Sequence, residues 1–180
     1  PMHLDGARLF NAAVATTLPP ASYAQHFDTL SVCLSKGLGA PAGSLLMMND
    51  LALLDKAKRL RRMYGGAMRQ SGVLAAAGIY ALEHNLERLK DDHDHARRLA
   101  QWLQLIPTVR INAQDVETNI VIFDVIGHRL APPAIIAALK QKGVLINALG
   151  GASFRAVTHL DVSSAMIDEA CETFARVLAD

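Results

Sequence analysis

Two ionisable residues sit where short apolar runs break into glycine: Asp5 in His3-Leu4-Asp5-Gly6, and Lys36 in Leu34-Ser35-Lys36-Gly37-Leu38-Gly39-Ala40-Pro41. A lysine at the end of an apolar strand can stand at the edge of a cleft, where partial desolvation favours the neutral amine that a Schiff-base nucleophile needs. A carboxylate at a strand end can face the cationic nitrogen of a bound ring. Each residue alone has a plainer reading: Lys36 as a solvent-facing loop residue, Asp5 as an Asx turn or helix cap. Both end expected strands, however, and in a parallel sheet the strand ends gather along the edge where ligands bind. A phosphate-binding P-loop is excluded, because that motif sets its glycines ahead of the lysine and here they follow it.

The elements that must hold these residues follow from the spacing of apolar side chains. Met2 and Leu4 alternate with His3 and Asp5, Gly6 breaks the run, and a short helix over 7–13 is stopped by Pro19-Pro20. A strand within 27–34 enters the glycine-rich loop, and 43–48 returns as another. Asn49 or Asp50 then caps a helix to Tyr64, with Leu53, Ala57, Leu60 and Tyr64 at helical spacing. A second helix from Ser71 is small and apolar through Val73 to Ile79, so it is expected to be buried. Asn85 caps it before a polar helix over 86–105, closed by Pro107. Beyond Pro107 the expected strands are 109–112, 120–123, 144–146 and 154–160, with a helix opened by Pro132-Pro133. A final helix, capped by Ser163 or Ser164, turns Ile167, Ala170, Phe174 and Val177 to one side. Strands and helices interleave as in an α/β protein, with one domain over 1–95 and a small α/β sandwich over 96–180.

The chain has 180 residues, 51% hydrophobic and 19% charged, a composition that folds. Lys+Arg 18 against Asp+Glu 17 argues against a nucleic-acid or polybasic membrane role. No apolar run approaches the roughly 20 residues that span a bilayer. Cys33 and Cys171 form no disulfide framework, which fits a reducing cytoplasm. No metal site is expected in Asp91-Asp92-His93-Asp94-His95, since His93 and His95 point about 200° apart on a helix, and the segment reads as a solvated face. His159, which alternates with Asp161 in an expected strand, is expected to orient Arg155 or cap the last helix. The five basic residues between Lys56 and Arg62 read as a solvated or subunit-facing surface, and Cys33 as a small apolar group turned into the sheet.

The segments His3-Leu4-Asp5-Gly6-Ala7-Arg8-Leu9-Phe10-Asn11-Ala12 and Leu34-Ser35-Lys36-Gly37-Leu38-Gly39-Ala40-Pro41 closely resemble those of the threonine aldolases. Met68-Arg69-Gln70-Ser71-Gly72 and Arg155-Ala156-Val157-Thr158-His159-Leu160-Asp161 resemble that family's segments in the same order, so the likeness covers essentially the whole chain. It implies the aspartate-aminotransferase-like α/β fold of the fold-type I pyridoxal 5'-phosphate enzymes, with the C-terminal part of the large domain followed by the small domain. It also implies roles for individual residues. Lys36 would be the Schiff-base lysine, and Asp5 would pair with the pyridine nitrogen. Arg8 would lie beside the cofactor and the substrate carboxylate, which Arg155 would clamp with its planar fork. Arg69 would reach the cofactor phosphate across a subunit interface.

The reaction implied is reversible cleavage of a β-hydroxy-α-amino acid, such as threonine, allo-threonine or phenylserine, to glycine and an aldehyde. A homodimer or homotetramer is expected, because the small apolar helix after Ser71 and its basic neighbour need partners, and the substrate implied is a small amino acid. In this family the phosphate cup and the residues near the β-hydroxyl come from a segment upstream of Asp-Gly-Ala-Arg, and only four residues precede Asp5. The chain is therefore expected to be a fragment that needs its N-terminal part, which would be a separate chain in one reading. The alternatives are a non-catalytic interaction module, or a racemase or β-eliminating lyase on the same scaffold.

Overall fold

The alternating start of the chain becomes strand β1 (His3–Gly6) in the computed structural model, which describes residues 1–178. It lies parallel to β2 (Thr29–Cys33), with Asp5 opposite Ser31 and Gly6 opposite Val32. β3 (Ser44–Met48) runs back antiparallel on the far side of β2, giving the order β1-β2-β3. The parallel pairing expected of the strands before Asp5 and Lys36 is thus present. Gly6 sits where a side chain has no room, since a Cβ there would come within 2.7 Å of the Ser31 carbonyl oxygen. Helices α1 (Leu9–Thr16) and α2 (Pro20–Ala24) connect the two parallel strands. Pro19-Pro20 follows the end of α1 as expected but also opens α2, because the N–H that proline lacks has no partner at a helix's first residue.

α3 (Leu51–Met63) is capped by Asp50, whose carboxylate accepts from the N–H groups of Ala52 and Leu53. It buries none of its residues, and its basic side chains are exposed. α4 (Gly72–His84) corrects an expectation: only Gly78 and Ala81 are buried, while Val73, Ile79 and Tyr80 stand more than half exposed. Its small residues let one stripe approach closely, so that a Cβ on Gly78 would meet Leu34 Cδ1 at 2.9 Å. The larger apolar groups lie off that stripe. The main apolar cluster here is small, made of Leu34, Leu38, Ala40, Ala81 and Leu89, with Leu9, Ala13 and Val32 also buried.

The chain divides into two compact units, Pro1–Leu89 and a second from Lys90 onward. α5 (Leu89–Leu103) begins at that division. Then follow β4 (Val109–Arg110), a single 3-10 turn (Ala113–Asp115), β5 (Ile120–Val125), α6 (Pro132–Gln141), β6 (Asn147–Gly150), β7 (Ser153–Val157) and α7 (Ser164–Leu178). The four strands form an antiparallel sheet in the order β4-β5-β7-β6. One face of it turns Val121, Phe123, Val125, Phe154 and Ala156 into a core with Ala96, Leu99 and Leu103 of α5, Ile135 and Leu139 of α6, and Ile167 and Phe174 of α7. Phe123 stacks near Phe154 at 5.7 Å and meets the edge of Phe174 at 5.8 Å, geometries that aromatic quadrupoles favour. Ser163 caps α7, its Oγ accepting from the Met166 N–H at 3.3 Å.

Two further expectations are corrected in this unit. The strand expected over 144–146 lies over 147–150, because pairing with β7 sets the register; Val144 and Ile146 pack on the core as loop residues. The polar helix α5 is not solvated throughout, since Asp92 and His93 are both buried. They fall on the same stripe as Ala96, Leu99 and Leu103, at the three-to-four spacing of a helix face. The Asp92 carbonyl accepts the buried Thr158 hydroxyl at 2.6 Å, tying α5 to the end of β7.

Candidate active site

Asp5 is the penultimate residue of β1, and Lys36 follows the end of β2, so both stand at the carboxyl ends of neighbouring parallel strands. Both are exposed. Asp5 Oδ1 accepts the N–H of Ala7 at 3.1 Å, an Asx turn that fixes the carboxylate and leaves its second oxygen available. The two readings of Asp5 are therefore compatible, because one oxygen serves the turn. On the same side of β1, His3 Nδ1 and Thr29 Oγ1 are 2.7 Å apart, which joins the two strands by side chains as well as backbone.

The loop that carries Lys36 is tightly built. Gly39 N–H donates to the Lys36 carbonyl at 2.8 Å and Ala40 N–H to the Leu34 carbonyl at 2.9 Å, with Gly39 at a φ of 74°. That left-handed backbone favours glycine. Gly37 is buried against Leu89 and Asn11, and a Cβ there would lie 2.8 Å from Leu89 Cδ2. Asn85 Nδ2 donates to the Leu38 carbonyl at 2.7 Å. Sequence reading gave Asn85 only as a helix cap, and nothing local signals that it anchors a loop 47 residues away. The Lys36 amine has no hydrogen-bond or ion-pair partner among the described residues.

Arg8 is half-buried at the start of α1, where its carbonyl accepts the Ala12 N–H. Arg69 is exposed between α3 and α4, next to Gln70 at a φ of 53°. Arg155 lies on β7, on the sheet face away from the core, and its Nε is buried without a hydrogen-bond partner. His159 Nδ1 accepts the Asp161 N–H at 3.4 Å and lies 3.6 Å from the Asp161 carboxylate. Cys33 is half-exposed, with Sγ 3.3 Å from Ser35 Oγ. The expectation that it turns into the sheet as an apolar group is corrected: strand alternation turns Val32 to the core and Cys33 to the other side.

Elsewhere burial governs the titrating groups. It pushes the His93 imidazole below its ordinary range, against the opposing pull of Asp92. It raises the Cys171 thiol to about 11, assisted by the Asp168 charge. On the exposed side of α5, the hydrogen bond from Lys90 lowers the Asp94 carboxyl. A groove of about 630 Å³ in the second unit is lined by Val144, Met166, Ile167 and Phe174 among others, and Arg155 is not part of its wall. Among the described residues no helix is long and apolar enough to cross a membrane, and no three His, Cys, Asp or Glu side chains gather to hold a metal.

The chain matches the model of the beta-eliminating lyase family over residues 1–126. It is 43% identical over 178 residues to the low specificity L-threonine aldolase of Escherichia coli, covering 99% of this chain and 51% of that protein. It is 37% identical over 178 residues to low-specificity L-threonine aldolase 1 of Arabidopsis thaliana, covering 98% and 49%. Among solved structures it resembles a Leishmania major threonine aldolase, with a TM-score of 0.73 at 20% identity over 98% of this chain and 52% of that one. A PLP-dependent aminotransferase from Streptococcus suis follows the same fold, with a TM-score of 0.68 at 17% identity over 89% of this chain and 44% of that one. The chain spans about half the length of the curated relatives it matches. Its fold is the aspartate-aminotransferase-like α/β fold that the sequence motifs implied.

Proposed function

The chain belongs to the beta-eliminating lyase family, and we propose that it forms part of a pyridoxal 5'-phosphate-dependent aldehyde-lyase that cleaves β-hydroxy-α-amino acids to glycine and an aldehyde. The portion of its relatives' length that it does not span completes the enzyme in this reading. The observation that carries the proposal is the pair Asp5 and Lys36 at the carboxyl ends of adjacent parallel strands, one with a free carboxylate oxygen and the other with an unpartnered amine. These groups fit the cofactor. A carboxylate in an Asx turn can hold a proton on a ring nitrogen through its second oxygen, and a lysine on a rigid loop can attach an aldehyde. When bound, pyridoxal 5'-phosphate supplies an electron sink for the charge left at Cα.

The remaining steps belong to the chain's own residues. Asp5 would hold the proton on the ring nitrogen, and Lys36 would hold the cofactor through its amine. Arg155 binds the substrate carboxylate through its planar fork, with Arg8 as a second cation for cofactor and substrate, while Arg69 serves the cofactor phosphate. Holding the carboxylate fixes the orientation of the bond that breaks, which is a positioning effect. The protein works as a homodimer or homotetramer in this reading, a second copy covering the apolar side of α4.

The test is product analysis on this chain completed with the portion of its relatives' length that it does not span and loaded with cofactor. Threonine, allo-threonine and phenylserine should each release glycine and aldehyde in equal amounts. Lys36→Ala should abolish the visible absorbance of the lysine-bound cofactor and lower kcat by at least about a hundredfold. Racemised amino acid, or pyruvate and ammonia without aldehyde, would overturn aldol cleavage in favour of another reaction on this scaffold. Failure of the completed protein to take up cofactor would overturn the catalytic reading altogether.

A further inference from the structure

We propose that Ser153 is a positioning residue that keeps Arg155 open to a carboxylate ligand by holding the neighbouring Asp124 away from it. The proposal rests on the reading of Arg155 as a carboxylate-binding cation. Its basis is the register of the antiparallel sheet. Ile122 on β5 and Asn147 on β6 stand opposite Arg155, and Asp124 on β5 stands opposite Ser153. Side chains alternate along each strand, so Ile122, Asp124, Ser153, Arg155 and Asn147 share the face that does not enter the core.

Asp124 is thus the diagonal neighbour of Arg155, at the roughly 7–8 Å spacing that a long side chain spans. Both residues are half-buried, where opposite charges attract with less screening than in open water. An ion pair between them would be the simple expectation. Instead the Ser153 hydroxyl donates to Asp124 Oδ1, and Arg155 forms no ion pair among the described residues. Arg110 on β4 stands opposite Asp124 on the side away from Arg155, and it too makes no ion pair with it.

The consequence concerns competition. A carboxylate tethered next to a guanidinium acts at millimolar or higher effective concentration, so a free Asp124 would occupy the fork that a dissolved carboxylate needs. A hydrogen bond to a charged acceptor biases such an equilibrium by about tenfold to a hundredfold. Ser153 supplies that bias without adding a charge of its own beside Arg155.

The full chain, labelled with nitrogen-15 at arginine side chains and titrated with acetate, tests this. Arg155→Gln identifies the Arg155 Nε–H signal by its loss. In the wild type this signal should shift as acetate binds. In Ser153→Ala the acetate Kd should rise about tenfold, and exchange of the Arg155 Nε proton should slow as Asp124 pairs with it. Ser153→Ala combined with Asp124→Asn should return the Kd to within about twofold of the wild type, a rescue that a loosened strand would not give. Ser153→Thr, which keeps the hydroxyl, should behave as the wild type. An unchanged Kd in Ser153→Ala, or a double variant as weak as the single one, overturns the role of Ser153 and leaves Arg155 untouched. An Arg155 signal indifferent to acetate in the wild type overturns the carboxylate role of Arg155 itself.

Discussion

Cys33 and Cys171 are the chain's two thiols, and their surroundings give them opposite chemistry. Cys171 lies on the inner face of α7, where desolvation and the Asp168 charge both disfavour the thiolate and raise its pKa to about 11. Since the thiolate is the reactive form, this thiol should be inert near neutral pH for two reasons, access and ionisation. Cys33 is half-exposed beside Ser35, on the side of β2 that does not pack into the core. A thiol reagent such as DTNB should therefore modify one cysteine per folded chain quickly and the second only after unfolding, with peptide mapping assigning the first to Cys33. Rapid modification of Cys171 in the folded chain would contradict the packing of α7. Strand alternation is what leaves Cys33 accessible, since Val32 takes the inward position on β2.

At the scale of elements, the parallel contact of β1 and β2 is what sets Asp5 and Lys36 at one sheet edge, and Gly6 is its tightest point. A methyl group at Gly6 would press on the Ser31 carbonyl oxygen at 2.7 Å, and a paired strand's backbone has no rotamer by which to yield. Gly6→Ala should destabilise the chain by about 1–3 kcal/mol and disturb Asp5, its immediate neighbour. Gly72→Ala, at the first turn of α4 with no atom within 4 Å of the new methyl, should be neutral or stabilising by up to about 1 kcal/mol. Denaturant midpoints of the two variants check the contrast, and equal effects would refute it. The site strands were legible in the sequence because both elements announce themselves locally, as apolar runs ending in glycine. What was not legible depends on partners distant in sequence. The tie of α5 at Asp92 needs Thr158, just beyond β7; the shift of β6 to 147–150 needs the register with β7; and the anchoring of the Lys36 loop needs Asn85 from the end of α4. Composition foretold that α4 is apolar, but an apolar helix with small residues on every side does not declare which stripe will find a neighbour.

For the molecule as a whole, the two units differ in what holds each together. The second unit closes a four-stranded sheet under three helices, with a core that includes Phe123, Phe154, Phe174, Leu103, Leu139 and Leu178. The first buries Leu9, Ala13 and Val32 besides the small cluster of Leu34, Leu38, Ala40, Ala81 and Leu89, and neither α3 nor β3 buries any residue of its own. Local opening is governed by the apolar contacts that must be broken, so the units should open at different free energies. Native-state hydrogen exchange followed by mass spectrometry should show amides of 44–84 exchanging well ahead of those of β5, β7 and α7. The assembly reading adds a condition to this. If a second copy covers Val73, Ile79 and Tyr80, burying them contributes on the order of 1.5–3 kcal/mol for each large side chain, and the amides of α4 should slow as protein concentration rises while those of α3 change less. Exchange of α4 that is fast and independent of concentration would argue against a second copy on that face. Equal protection across both units would instead mean that the first unit draws stability from something other than its own core.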